Sequence, residues 1–195
     1  VADQTRLKGL AEAEAMTKKA AAWEKYNQAA VLEMYLKVLP DLARAVSEPL
    51  AKVDKIIVVG GGIFGAEEEV LQVAEMVQAP VSMSRNAKGA VSFRHYLGVP
   101  ETARHKLWPA VDVVLAVGTR LDDQYKRWGI GKDVQVIRID VDPVELERNG
   151  KPSVGLLADA KPALALLANR LGRHNRKRPS RKEELEGLKA QLEKE

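Results

Sequence analysis

The chain has 195 residues, 46% of them hydrophobic and 30% charged, with a formal net charge of +4 and no cysteine. That length allows one domain of ordinary size plus a smaller piece, and the missing cysteine excludes disulfides, thiolate metal sites and thiol nucleophiles, as expected of a reducing, cytoplasmic setting. Among the three histidines, His95, His105 and His174, none stands four residues from another, which argues against zinc, and no apolar run nears the roughly 20 residues of a membrane span.

The chain starts at Val1 rather than Met, as expected of a piece of something longer, and VADQTRLKGL has no hydrophobic signal core. Residues 3–38 are rich in Ala, Glu, Lys and Leu, with one Gly and no Pro, which predicts a long helix. Leu7, Leu10, Ala11, Ala15, Ala22, Ala29, Leu32 and Leu36 recur at helical steps, but much of the stripe is alanine. An alanine face buries little area, so the helix is expected to pack against a neighbour or a second copy, with Trp23, Tyr26 and Tyr35 docking it. This predicts a homo-oligomer. A break at Leu39-Pro40-Asp41 follows, with Asp41 able to cap a short second helix perturbed by Pro49.

From Asp54 the texture changes. KIIVVGGG, PVSMS, DVVLAVGTR and VQVIRIDVDP are β-branched runs, several apolar on both faces, as in a buried parallel sheet; SVGLLAD adds a last strand. Helical stretches alternate with them: Ala66 to Gln78, roughly Pro100 to Pro109, Gln124 to Trp128, Pro143 to Asn149 and Pro162 to Leu171. The alternation predicts a doubly wound, mostly parallel α/β domain over 54–172, with helices on both faces, preceded by a helical segment over 1–53. Ligands of such sheets bind where loops leave the carboxyl ends of the strands, and here those loops are GGGIFG, SRNAKGA, GTRLDD and DVDP.

Gly60, Gly62 and Gly65 spell G-x-G-x-x-G between a strand and a helix, the context a dinucleotide fingerprint requires. Its second half, an acid at the tip of the next strand, is missing, because Ala79 to Ser84 is followed by Arg85-Asn86. A standard nicotinamide site is therefore not expected.

The third segment, 173–195, is a basic linker and a charged helix. Arg170 to Lys182 holds seven Lys or Arg and no acid, so the rest of the chain carries +4 − 7 = −3. No aromatic residue interleaves this run to stack bases; a solvated linker is expected, and nucleic acid is not.

The residues from GGGIFGAEEEVLQVAEMV through VDVVLAVGTRLDD, RWG, VIRIDVDPVELERN and VGLLADAKPAL resemble the central domain of thiamine-diphosphate-dependent enzymes of the acetolactate synthase type. The likeness runs from about Lys55 to Arg170, and RKRPSRKEELEGLKAQL, reaching past 182, resembles that family's lead into its next domain. KGLAEAEAMTKKAAAWEKYNQAAVLEMYLKVLPDLARAVSEPLAKVDKIIVVGGG is similar to the C-terminal region of flotillins, over about 5–60. Both likenesses overlap on Lys55 to Gly62, which points to a fusion with its seam there.

The enzyme resemblance implies that thiamine diphosphate and Mg²⁺ are held by two other domains, one supplying a glutamate and one a GDG-type loop. No GDG occurs in this chain, so turnover is not expected from it alone. The resemblance also implies a domain that holds FAD or an adenine nucleotide in some relatives and nothing in others. It nominates Gly61 and Gly62 for close backbone approach, Gly118, Thr119 and Arg120 for phosphate or ribityl contacts, and Asp140 and Asp142 for ribose or adenine. Set against this, the glycines can simply turn the chain, Arg120 can pair with Asp122 or Asp123, and Asp142 can cap the helix starting at Pro143. Two departures weaken the ligand reading: Ala87 stands where the family has glycine before Lys88-Gly89-Ala90, and Ala158 stands before Asp159. His95 and His105 read as surface or helix-packing residues, Trp108 and Trp128 as core or interface aromatics, and Asp122-Asp123 as solvated. The alternatives are thus a nucleotide-binding module, a purely structural or self-associating one, and a fragment of an enzyme active only with its missing domains.

Overall fold

A computed structural model describes residues 37–40, 42, 54–174 and 178–194. The expected N-terminal helix, with Trp23, Tyr26 and Tyr35, falls outside them but for its end. Residues 37–40 and 42 are helical, so Leu39 and Pro40 stand in helix where the sequence predicts a break, while Asp41 lies outside the described residues; Leu39 and Leu42 are fully buried.

Six strands form one all-parallel sheet: β1 (Asp54–Val59), β2 (Val81–Met83), β3 (Gly98–Val99), β4 (Val111–Val117), β5 (Gln135–Asp140) and β6 (Val154–Leu157). Their order is β3-β2-β1-β4-β5-β6, the doubly wound order whose direction of growth reverses between β1 and β4. β3, only two residues long, adds a strand to those expected from the sequence. The helices are α1 (Glu67–Val77), α2 (Glu101–Leu107), α3 (Pro143–Glu147), α4 (Ala160–His174) and α5 (Lys182–Leu192). A single π-helical turn, Gln124–Trp128, takes the place of the helix expected there.

The strands are apolar along their length because both sheet faces are covered. Ile56, Val58, Val114, Ala116 and Val136 form one cluster with Leu121, and Trp108, Tyr125, Ile130 and Val134 pack against it. The alternate residues Ile57, Val59, Leu115, Val117, Ile137 and Ile139 are buried too, and strand alternation turns them to the opposite face. α4 buries Ala160, Ala163, Leu164, Leu167, Ala168 and Leu171, a three- and four-residue repeat that makes one continuous apolar face, and it packs against α1.

The register sets the level of the strand tips. Val59 pairs with Val117, Val117 with Ile139 and Asp140 with Leu157. The residues that leave these strands therefore start side by side: Gly60 after β1, Gly118 after β4, and Ala158 after β6. The ladder continues into them, with the amide of Gly60 donating to Val117, that of Gly118 to Ile139 and that of Ala158 to Asp140 at 2.9–3.0 Å.

Candidate functional site at the carboxyl ends of the strands

A cleft of about 180 Å³ opens at this edge, lined by Gly62, Gly118, Thr119, Arg120, Asp140 and Glu145, with Ile139, Val141, Ala158 and Ala160 as its apolar wall. Five of the seven residues nominated from the sequence thus meet in one place. Gly61 and Asp142 are not in the lining.

The position of the cleft follows from how the first two loops meet. A Cβ on Gly60 would lie 2.1 Å from the Gly118 carbonyl oxygen, and one on Gly62 would lie 2.8 Å from the Gly118 Cα. Gly118 returns the contact: its φ is +54°, and a Cβ there would stand 2.5 Å from the Gly62 Cα. The two loops therefore seal the switch point between β1 and β4, where a doubly wound sheet usually opens its crevice. The open space is displaced toward β4, β5 and β6.

The same contact accounts for the glycine fingerprint. Besides the Gly60 amide, the Gly62 amide is also taken, donating to the Gly118 carbonyl at 3.2 Å. The helix that would aim its N-terminus at a diphosphate, α1, opens with Glu67, Glu68 and Glu69, and the Glu67 carboxylate accepts from the Gly65 amide at 2.9 Å. Three carboxylates favour the positive end of a helix and repel a phosphate from it. Gly60 and Gly62 of G-x-G-x-x-G here pack two loops together, while Gly65, at φ +90°, turns the chain before α1.

Around the cleft, the loop Gly118-Thr119-Arg120 is pinned from two sides. Arg138, 1% exposed in β5, donates from Nη2 to the Thr119 carbonyl at 2.7 Å. Asn149 donates from Nδ2 to the Arg120 carbonyl at 2.7 Å and to Asp122 Oδ1 at 3.2 Å. Burial holds the Arg138 guanidinium below its ordinary value, opposed by the negative charge of Asp140.

Arg120 pairs through Nε with Glu145 Oε2 at 3.3 Å, its own side chain 65% exposed. This corrects the pairing with Asp122 or Asp123 weighed from the sequence. Those two carboxylates are bound one helical turn onward, Asp122 by Lys126 at 2.7 Å and Asp123 by Arg127 at 3.5 Å. Lys126 and Asn149 hold the Asp122 carboxyl below the usual range. Glu145, the buried residue of α3, also binds Arg148 Nε at 2.7 Å, and this bond raises the Arg148 guanidinium above its usual value.

Asp140 accepts from the Asp142 amide through Oδ1 at 3.1 Å, which leaves Oδ2 for another donor. Asp142 caps α3: its Oδ1 accepts from Val144 at 2.8 Å and Glu145 at 3.4 Å, with Pro143 as the first helical residue. Asp142 is thus the helix cap weighed against its ligand role.

Elsewhere, His95 pairs with Glu75 at 3.3 Å. His105 is exposed and lies 4.3 Å from Trp128, which in turn packs edge-on to Trp108 at 5.4 Å. Arg104 lies 4.2 Å over the Trp128 ring. Sequence reasoning missed Arg138, Glu145 and Asn149. Glu145 carried a signal in its position three residues after the Asp142 cap; Arg138 carried none beyond being a charge inside a strand.

Among the described residues, no group of three or more His, Cys, Asp or Glu could hold a metal ion. The described residues therefore do not provide for Mg²⁺.

A family model described as the central domain of thiamine pyrophosphate enzymes matches residues 43–167. The probable acetolactate synthase large subunit of Methanococcus aeolicus is 32% identical over 116 residues, 54% of this chain and 19% of that protein. The acetolactate synthase of Mycobacterium avium is 33% identical over 132 residues, 62% of this chain and 21% of that protein. Isozyme 1 of the Escherichia coli large subunit is 29% identical over 124 residues, 57% and 21% of the two chains. The chain spans about a fifth of the length of these curated relatives.

Proposed function

The chain belongs to the family of thiamine pyrophosphate enzyme central domains, and from that premise we propose that it serves as a nucleotide-binding module, taking an adenine nucleotide or the adenosine half of FAD in the cleft between the tips of β4, β5 and β6. The observation that carries this reading is the meeting of one cation, one half-free carboxylate and an apolar wall in a single space. Arg120 supplies charge for a phosphate, Asp140 Oδ2 accepts from a ribose hydroxyl, and Ile139, Val141, Ala158 and Ala160 flank a base. At about 180 Å³ the cleft is smaller than the 300 Å³ or more typical of a cofactor pocket. It therefore holds part of such a ligand, and the remainder falls to segments that lie in the longer relatives and outside this match.

The test is thermal unfolding with excess ADP or FAD, and with NADP⁺ as control. At 100 times the dissociation constant a ligand adds about 2.7 kcal/mol, a shift of several degrees. We expect ADP and FAD to raise the midpoint, and Arg120→Ala and Asp140→Asn to abolish the rise while leaving the unliganded midpoint within about a degree. The same midpoint with and without nucleotide would sink the reading.

A second reading has its own observation. The close approach of Gly60 and Gly62 to Gly118 explains those glycines with no ligand at all, as a structural module requires. Under it, the flotillin-like stretch over about 5–60 is a self-association arm, the family match from residue 43 overlaps its end, and the domain is a spacer in an acetolactate-synthase-like enzyme.

A further inference from the structure

Lys55 stands at the opposite end of β1 from the cleft, where the strand begins. It is 5% exposed, and its Nζ is shielded from solvent with no hydrogen-bond partner. The Nε of Arg178, in the segment between α4 and α5, is likewise shielded and unpartnered. Arg181 binds Asp54 at 3.2 Å, which brings the segment carrying Arg178 to the end of the strand that carries Lys55; burial first, and then the Arg178 charge, push the Lys55 amine down to about 8.

A buried charge without a partner is unfavourable, and a second charge of like sign beside it is more so. The described acids of this edge give no relief. The Asp54 carboxylate binds Arg181 at 3.2 Å, and Glu184 takes the same guanidinium through both oxygens. Asp112 Oδ2 accepts from the Asp54 amide at 3.3 Å. Among the described residues, an ammonium and a guanidinium N–H are left with no acceptor. The chemistry that satisfies both is a compact anion with several acceptor oxygens, since one oxygen can face each donor and its charge offsets both cations.

We propose that Lys55 and Arg178 bind a small oxyanion of the inorganic phosphate class at the amino-terminal edge of β1. Held there, the anion clasps the first strand to the segment that leads into α5. The site shares no residue with the cleft, so neither stands or falls with the other.

Inorganic phosphate itself is the probe, added to the whole chain at pH 7 with chloride holding the ionic strength constant. The wild-type midpoint should rise by several degrees as phosphate passes 100 times its dissociation constant, and its ³¹P line should broaden. Lys55→Met, relieved of the buried charge, should melt higher than wild type without phosphate and respond to it neither by midpoint nor by linewidth. Arg178→Leu should lose the phosphate response as well, which keeps the test decisive should the strand variant fold poorly. Arg120→Ala, in the cleft, should keep it. Absence of any wild-type response, or an equal response in wild type and both edge variants, overturns the proposal.

Discussion

At Gly118, conformation and space make the same demand. Its φ of +54° is one that L side chains rarely adopt, and the Gly62 backbone occupies the place of a Cβ. Gly118→Ala is expected to lower stability by at least about 2 kcal/mol, read as a lower urea midpoint, with or without nucleotide. A loss below about half that would mean that the loops can part, and that the sealed switch point is not fixed. Lys55 offers a prediction with a definite sign. The folded amine loses its proton near 8 and an ordinary lysine near 10.5. Between those values the unfolded chain binds more protons, so stability rises with pH through that window and the burden of the buried charge is fully present below it. In phosphate-free buffer, Lys55→Met should therefore exceed wild type by on the order of 1–3 kcal/mol at pH 7, and the gap should close toward pH 10.5. A gap independent of pH would show that the amine is not the cause. Neither residue's situation was legible in the sequence. Gly118 resembles any strand-tip glycine until the partner loop is seen, and Lys55 resembles an exposed strand-leading lysine until its burial and the charge of Arg178, more than a hundred residues on, are seen.

Among elements, the sheet was the most legible part, for a physical reason. Strands covered on both faces must be apolar throughout, so KIIVVG, DVVLAVG and VQVIRID announced themselves. β3 did not, because Gly98–Val99 offers only two residues and no pattern. The helix after β5 was legible from its cap, Asp-Pro being a joint signal for N-cap and first position. α3 has only five residues, yet it carries Glu145, the partner of Arg120. Asp142→Ala removes the two hydrogen bonds that begin it and should cost about 1 kcal/mol. Because Asp142 lies outside the cleft lining, the midpoint gain on adding ADP should survive in this variant. Loss of that gain would place Asp142 among the ligand contacts after all. The basic run shows where composition misleads at this scale. Arg181 reads as one of seven cations in a solvated linker, but its side chain is 19% exposed and is held by Asp54 and Glu184. Those two bonds help keep its guanidinium above the ordinary value against the effect of burial. It fastens α5 to the strand edge, and charge counting along the chain has no way to show a partner so distant in sequence.

On the scale of the whole molecule, the family match and the cleft set a boundary on what the chain can do alone. The match covers most of the sheet and its helices, but each relative is about five times longer than the matched part. A thiamine pyrophosphate site needs a cation held by several oxygen ligands together with the diphosphate. No three acidic or imidazole side chains among the described residues are arranged to hold a metal ion, and the acids nearest the cleft are already engaged: Glu145 by two arginines, Asp142 by the start of α3, and Asp140 by half. Thiamine pyrophosphate with Mg²⁺ should therefore leave the thermal midpoint unchanged under conditions in which ADP raises it. Calorimetric titration should likewise give no saturable heat with that pair. Saturable binding of thiamine pyrophosphate would mean that the chain, or an assembly of its copies, builds a cofactor site from residues beyond those described, and the reading of this domain as a nucleotide module without turnover would have to give way.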